Sequence, residues 1–333
     1  MTAPSPPPPD DPLEAHPDVH AGRDGWLFLT GGSNRVLEQF GPDGFPRARL
    51  WEWRRRLVER VRLCAALGIR YAHAVAPEKL TVLPELTAGL PYDPRRAPVR
   101  RLARWLHLSP ARGAWIDLLG ALRAARSGPD LYLRTDTHWT FAGCEVAYEA
   151  ILRHLGVPPR RDIARRRIPE SVPHFAGDLG SKFSRPRAET ALGTRFVSQA
   201  RRVHANAFLL GFEASGAVRD AHLGALAVFR NEDPAADPRR LVLFGDSYCQ
   251  HSAMSPVATL TPFLADSFRE VHFLWSPSID WDYVRAVRPD FVIGEIAERF
   301  MIEVPPRNAP IERLAAMAAA RKAEEAAGRV LPV

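Results

Sequence analysis

Cysteine is scarce, with three in 333 residues, at positions 64, 144 and 249. Their spacing fits no metal-binding pattern, and an odd number gives no disulfide framework. The expectation is free, buried thiols in a reducing compartment, with Cys249 the one that falls near a candidate site. No apolar run approaches the ~18–20 residues that a bilayer-spanning helix needs. The stretch Met1 to Asp11 is proline-rich and acidic, with no apolar h-region and no small-residue cleavage site. It therefore does not read as a secretory signal, and the chain is expected in the cytoplasm. Lysine is nearly missing: it supplies three of the 45 basic residues, so arginine carries the net charge of +7. That balance suits an anionic partner such as a polysaccharide, a membrane surface or nucleic acid, although arginine-for-lysine usage also follows genomic base composition. The clusters Arg54-Arg55-Arg56, Arg160-Arg161 and Arg165-Arg166-Arg167 are broken by acids and have no interleaved aromatics. No nucleic-acid partner is expected from them. Internal repeats, heptads and an interdomain linker are all missing.

What is present is an ordinary globular composition, 46% apolar and 25% charged, organised around one stretch. Leu241-Val242-Leu243-Phe244 runs directly into Gly245-Asp246-Ser247-Tyr248. A short, continuous apolar run ended by a glycine turn reads as a strand buried on both faces of a parallel sheet. Gln250 to Phe268 then reads as a helix, or as a loop and a helix. Ser247 falls on a strand-to-helix turn at a carboxyl edge, where open α/β sheets place ligands. Backbone N–H groups that open such a helix are unpaired and can hold an oxyanion. Gly, Asp and Ser are also ordinary turn residues, and that plainer reading stays open.

The N-terminal segment, residues 1–20, is expected to be a disordered proline-rich arm, since Met1 to Val19 holds seven prolines and little to bury. Trp26 to Leu29 reads as a strand after the turn at Arg23-Asp24-Gly25. Arg47 to Leu67 reads as a helix with Leu50, Trp53, Leu57, Val61 and Cys64 on one face, stopped by Gly68. Ile69 to Ala76 follows as a buried strand closed by Pro77. Helix, glycine, buried strand is α/β layering. Glu78 and Lys79, just past that strand, face either the site or solvent. Leu131 to Thr140 reads as a strand running into a turn, and Phe141 to Leu155 as a helix ended by Gly156. Residues 160–239 read as turns and antiparallel strands inserted before the core strand, with strand-like pieces at Asn206 to Phe212 and Ala225 to Phe229. Glu270 to Trp275 and Phe291 to Gly294 read as further strands, and Pro310 to Ala327 as an Ala-rich helix. That helix belongs to a C-terminal segment, 306–333, packed on the rest.

A serine hydroxyl needs an adjacent base to act as a nucleophile, and the base needs an orienting acceptor. Asp136 and His138 lie two apart. On extended backbone such residues face the same way, so Asp136 can orient His138 and His138 can serve Ser247. A structural histidine is the alternative for any one of the 11 in the chain. Gly177 and Gly180, in the turn Gly177-Asp178-Leu179-Gly180-Ser181, are candidates for a second oxyanion donor beside the Ser247 amide, or plain turn residues. Trp139, Tyr248 and Lys79 are candidates for contacting substrate. Trp139, Tyr248, Trp275 and Trp281 can stack on sugar rings, or simply fill the core. No cofactor and no metal site is expected.

Asp136-Thr137-His138-Trp139 followed by Gly245-Asp246-Ser247-Tyr248 resembles the SGNH-hydrolase-like domain of the alginate O-acetyltransferase family, in which Asp-x-His precedes the serine motif. Gly22 to Phe28, the Pro77-Glu78-Lys79 segment up to Glu85, Gly177-Asp178-Leu179 and Glu298-Arg299-Phe300 also look like that family, in the same order. The resemblance spans Gly22 to Glu303. It implies an α/β, SGNH-hydrolase-like three-layer fold over residues 21–305, with a mostly parallel central sheet and an inserted β-rich segment. It implies Ser247 as nucleophile, His138 as general acid/base and Asp136 as orienter of an O-acetyltransferase in polysaccharide biosynthesis. The partners would be a glycan or polysaccharide acceptor and an acyl donor, with a membrane acyltransferase as one source of acetyl. The family is exported. The alternatives are a carbohydrate or small-molecule esterase with the same triad, and a non-catalytic glycan-binding or assembly component.

Overall fold

In the computed structural model, residues 15–160, 162–217, 221–252 and 254–326 are described. Most of residues 1–20, for which disorder is expected from the sequence, lies outside them. Val19 and His20, however, lie in β1 (Val19–Ala21), which pairs antiparallel with β2 (Leu27–Leu29). Helix α1 (Arg47–Ala66) buries Leu50, Trp53, Leu57 and Cys64 against β3 (Arg70–Ala76). Burying each such side chain stabilises the fold by roughly 1.5–3 kcal/mol. A single turn, α2 (Lys79–Val82), follows, and then α3 (Pro98–Leu106), β4 (Trp115–Ile116), α4 (Leu118–Ala125) and α5 (Phe141–Leu155).

The inserted region is an antiparallel pair, β5 (Arg167–Phe175) and β6 (Glu189–Phe196), followed by β7 (Arg201–Ala205) and α6 (Ala207–Ala214). Its second half departs from the sequence reading. Asn206 to Phe212 is not a strand, because the Asn206 side chain accepts from the Leu209 amide at 3.2 Å and starts α6. The core resumes with β8 (Leu226–Arg230), β9 (Asp237–Gly245), α7 (Leu260–Ser267), β10 (Phe268–Trp275), α8 (Trp281–Val287) and β11 (Phe291–Ala297). The chain then reaches α9 (Ile311–Ala326), which buries Ile311 and Ala315.

One seven-stranded sheet organises the molecule, in the order β4-β3-β11-β9-β10-β8-β7. From β4 to β10 every neighbour is parallel, and β8 and β7 extend the sheet antiparallel. Strand β9 is central, and Leu241 to Phe244 are fully buried. A two-faced buried strand needs apolar side chains on both sides, which is why its sequence does not alternate. Its carboxyl end lies beside the ends of β11 and β10. This is the edge on which the serine turn opens.

Leu131 to Thr140 is not the expected strand. The segment is irregular, and among the described residues its one bridge joins Tyr132 to Trp139. The Leu133 carbonyl, which a strand would give to a neighbour, is taken by an ammonium: Lys79 Nζ donates to it at 3.0 Å, and also at 3.1 Å to the Arg134 carbonyl, which accepts from the Leu27 amide of β2 as well.

Candidate active site

Three segments meet at the carboxyl edge. The first is the turn after β9. Gly245 has to be glycine, because a Cβ there would lie 2.7 Å from Cys249 Cβ and 3.0 Å from Glu295 Oε2. Asp246 ties the turn to β11: its Oδ2 accepts from the Ala297 amide at 2.7 Å and its Oδ1 from the Tyr248 amide at 3.0 Å. In return, the Asp246 amide donates to Glu295 Oε2 at 3.1 Å. Burial, followed by the charge of Asp246, pushes the Glu295 carboxyl far above the usual range. From Leu241 to Gln250, Ser247 is the one residue that is not buried, so its hydroxyl is open to a reactant.

The second segment is the irregular loop 133–140. His138 Nε2 lies 2.8 Å from Ser247 Oγ, and its Nδ1 lies 2.7 Å from Asp136 Oδ1. An ionised carboxylate can only accept, so Nδ1 carries the proton and Nε2 is left free to accept from the serine hydroxyl. Asp136 Oδ1 also accepts from the His138 amide at 2.8 Å. The Tyr248 hydroxyl donates to the Thr137 carbonyl at 2.8 Å, which joins this loop to the serine turn.

The third segment is the Gly177-to-Ser181 turn. The Asp178 amide donates to Asp136 Oδ2 at 2.9 Å. The Asp178 carboxylate accepts from the Thr137 amide at 2.7 Å and from the Thr137 hydroxyl. A Cβ on Gly177 would sit 2.4 Å from Asp136 Cβ, so glycine is required for this approach.

Electrostatics follow from this geometry. Burial by itself would lower the His138 pKa. The charge and hydrogen bond of Asp136, with the charge of Asp178, outweigh that pull and leave it raised. Burial would raise Asp136, but His138 and the amides of His138 and Asp178 hold it well below the usual carboxylate range. Asp136, His138 and Asp178 also form a compact cluster with metal-ligating atom types. The oxygens of both carboxylates accept from N–H or O–H donors.

Ser247, His138 and Asp136 are thus brought together, whereas the other sequence candidates hold structural positions around them. Gly177 and Gly180 are not oxyanion donors. The Gly177 amide donates to Thr135 Oγ1 at 3.2 Å and the Gly180 amide to the Thr135 carbonyl at 2.9 Å. The Ser247 amide, by contrast, opens a 3-10 turn and has no acceptor among the described residues. Trp139 and Tyr248 do not reach substrate, because both are fully buried and packed edge to face at 4.6 Å. Trp139 Nε1 donates to the Ala258 carbonyl at 2.9 Å. Trp275 and Trp281 are buried as well. Lys79 is no substrate contact either: it is buried, its proton donors hold loop 133–140, and burial lowers its pKa to about 8.

Sequence reasoning missed the supports. Glu295 is the lone carboxylate in the apolar run Phe291-Val-Ile-Gly-Glu-Ile-Ala, and that isolation was its signal. Arg299 pairs with Glu78 at 2.8 Å, both buried, and lies over the Tyr248 ring at 5.5 Å. Nothing local announces that contact.

Comparisons with known proteins agree with this architecture. A family model described as the SGNH hydrolase-like domain of acetyltransferase AlgX matches residues 19–213. A probable alginate O-acetylase AlgJ from Pseudomonas aeruginosa is 34% identical over 149 residues, which is 41% of this chain and 33% of that protein. The Pseudomonas fluorescens protein of the same description is 34% identical over 144 residues, 42% of this chain and 34% of its own length. The chain thus spans about a third of the length of these curated relatives. Among solved structures, the O-acetyltransferase domain of Pseudomonas putida AlgJ superposes with a TM-score of 0.57 at 17% identity, covering 92% of this chain and 100% of that domain. Bacillus cereus PatB1 superposes with a TM-score of 0.58 at 16% identity, covering 86% and 99%. At that identity the structures establish the shared SGNH-like fold. No described helix is long and apolar enough to cross a membrane.

Proposed function

The chain belongs to the SGNH hydrolase-like domain family of acetyltransferase AlgX, and from that premise we propose that it is an O-acetyltransferase. It moves an acetyl group onto hydroxyls of a glycan or polysaccharide through an acyl-serine intermediate. The observation that carries this reading is the unbroken relay Asp136–His138–Ser247, with contacts of 2.7 and 2.8 Å.

The reaction runs in two displacements. His138 Nε2 takes the Ser247 proton as Oγ attacks the carbonyl carbon of an acetyl donor. The Ser247 amide faces the resulting oxyanion, where a positioned donor is worth ~2.7–4 kcal/mol of barrier. The intermediate collapses, the bond to the donor oxygen or sulfur breaks, and the leaving group takes the proton from His138. An acceptor hydroxyl then gives its proton to His138 and attacks the acetyl-serine. Collapse breaks the Ser247 ester, and the proton returns to Oγ. Asp136 stays ionised throughout and stabilises the imidazolium formed in each half. The acetyl donor is supplied from outside the chain, and a membrane acyltransferase is the proposed source.

Intact-mass measurement after exposure to a chromogenic acetyl ester tests this reading. An acetyl adduct is expected on the wild type and not on Ser247→Ala. An adduct on both, or Ser247→Ala turning over ester at the wild-type rate, would remove Ser247 as the nucleophile. Acceptor sugar that diverts acetyl from water marks a transferase, and release of free acetate unaffected by any sugar marks an esterase.

A further inference from the structure

The arginine cluster at 54–56 has no part in the relay, and the fold sets apolar side chains beside it. Trp51, one turn before Arg54 on α1, is 55% exposed. Trp105, near the end of α3, packs edge-on against it at 5.5 Å. The chain then passes through Leu108 to Pro110, which lines a groove on α1 together with Trp51 and Val58. Leu108 is 89% exposed, more than any other large apolar side chain among the described residues. One exposed leucine is ordinary. Here it stands between two tryptophans and a proline, as part of one strip.

Around this strip the free charge has one sign. The acids alongside are engaged: Glu52 pairs with Arg49 at 3.1 Å, and Glu59 with Arg56 and Arg307 at 2.8 and 2.5 Å. Arg54, Arg55 and Arg62 on α1, and Arg104 and Arg112 on the other side, have no acidic partner among the described residues. All of these but Arg54 are exposed. Such side chains settle at different depths of a bilayer surface. An indole sits at headgroup level, and an aliphatic side chain reaches the acyl boundary. A guanidinium stays with anionic headgroups while its stem lies along apolar surface.

From this we infer that the α1–α3 face docks on the surface of an anionic lipid bilayer, with Leu108 and Trp51 inserted and the arginines on the headgroups. The chain lies on the bilayer in this arrangement, since no described helix is long and apolar enough to cross it. Other occupants fit the face less well. A glycan stacks on an open ring face, but the Arg54 guanidinium lies over the Trp51 ring at 5.0 Å, and Leu108 offers no hydrogen bond. A second copy seated on the same face would set arginine against arginine. Trp53 Nε1 donates to the Met301 carbonyl at 2.8 Å, just past the carboxyl end of β11. The Trp51 end of the face therefore lies at the sheet edge on which the serine turn opens. The docking itself needs nothing from the acetyl-transfer reading.

The test is co-sedimentation of the full chain with vesicles of phosphatidylcholine alone and of phosphatidylcholine mixed with phosphatidylglycerol, at low and high salt. Binding to the mixed vesicles is expected, weaker at high salt as screening grows, with little binding to phosphatidylcholine. Arg55→Glu/Arg62→Glu should lower the partition constant at least roughly tenfold, because each basic side chain near an anionic surface adds to the attraction. Leu108→Ser should lower it roughly tenfold by removing the inserted aliphatic group. These variants alter exposed side chains and should keep the wild-type melting temperature and ester turnover. A wild type that stays in the supernatant with mixed vesicles overturns the inference, and so does wild-type binding by the charge-reversed variant. Vesicle binding that Leu108→Ser and Trp51→Ala both leave intact would be plain electrostatic adhesion and would overturn it as well. Self-association in equilibrium sedimentation that Leu108→Ser abolishes would give the face to a second copy, with the same consequence.

Discussion

Replacing Asp136 with asparagine probes the relay most directly. Asp136 accepts three hydrogen bonds, from His138 Nδ1 at 2.7 Å, the His138 amide at 2.8 Å and the Asp178 amide at 2.9 Å. Asparagine keeps one acceptor oxygen. If that oxygen stays on the His138 side, the new NH2 faces the Asp178 N–H, and two donors oppose each other at a cost of ~1–3 kcal/mol. If the amide flips, the NH2 faces Nδ1, which must then accept. The ring proton moves to Nε2 and points at Ser247 Oγ, so the base can no longer take the serine proton. Either way the imidazolium loses its counter-charge. The expected fall in turnover is roughly 10³–10⁴-fold, or ~4–5.5 kcal/mol of barrier. The pH profile adds a second readout. His138 must be neutral to act, so wild-type rate should rise with pH through a value above the usual ~6.5. Without Asp136 the pull of burial remains and its main opposing force is gone, so the acid limb should move to lower pH. The assay is initial rate of chromogenic acetyl ester turnover against pH, with a thermal melt to confirm that the variant is folded. A variant within tenfold of the wild type, or an acid limb that stays in place, would refute the relay.

Other outcomes follow from the same contacts. Gly177→Ala would place a methyl 2.4 Å from Asp136 Cβ and 2.7 Å from its Oδ2. Overpacking should cost ~1–3 kcal/mol, and ester turnover should fall with it; a full wild-type rate would mean that the placement of Asp136 does not matter. Lys79→Met leaves the Leu133 carbonyl without its 3.0 Å ammonium donor, while the Arg134 carbonyl keeps the Leu27 amide, and should lower stability by ~1–3 kcal/mol, read by denaturant melts. Trp139→Phe leaves the Ala258 carbonyl without its 2.9 Å partner and should lower the melting temperature while KM for acceptor holds. A raised KM at unchanged melting temperature would restore a sugar-stacking role. The Asp136–His138 pair should also shape stability against pH. The lowered Asp136 pKa adds stability that is present above its unfolded value of ~3.9 and lost as pH falls through the folded one. The raised His138 pKa adds stability that is present below ~6.5 and lost as pH rises through the folded value. The difference in melting temperature between wild type and Asp136→Asn should therefore be largest from about pH 4 to 6.5, and a flat difference would contradict it.

Local pattern carried far in this chain wherever one element's period or one turn's chemistry sufficed. Leu241 to Phe244 read as a doubly buried strand, and the glycine after it put Ser247 on the rim. Arg47 to Leu67 showed its buried stripe, and Asp136 and His138 could be paired because two residues on one short loop need no distant partner. Where the pattern misled, the deciding contact came from far away. Leu131 to Thr140 has strand-like residues, but a buried ammonium 54 residues upstream takes a carbonyl that a ladder would use. The glycines of the 177–181 turn looked like free amide donors until Thr135 filled them. Trp139 and Tyr248 looked like platforms until each covered the other.

By itself, then, the sequence determined the buried core strands at Ile69, Leu241, Glu270 and Phe291, the helices at 47–67 and 141–155, and which side chains had the chemistry to act. Only the tertiary structure decided which of them meet, as His138 and Ser247 do across 109 residues of chain. The reason is physical. Periodicity says which face of an element is buried, and a hydrogen bond or a packed ring depends on what the opposite face presents.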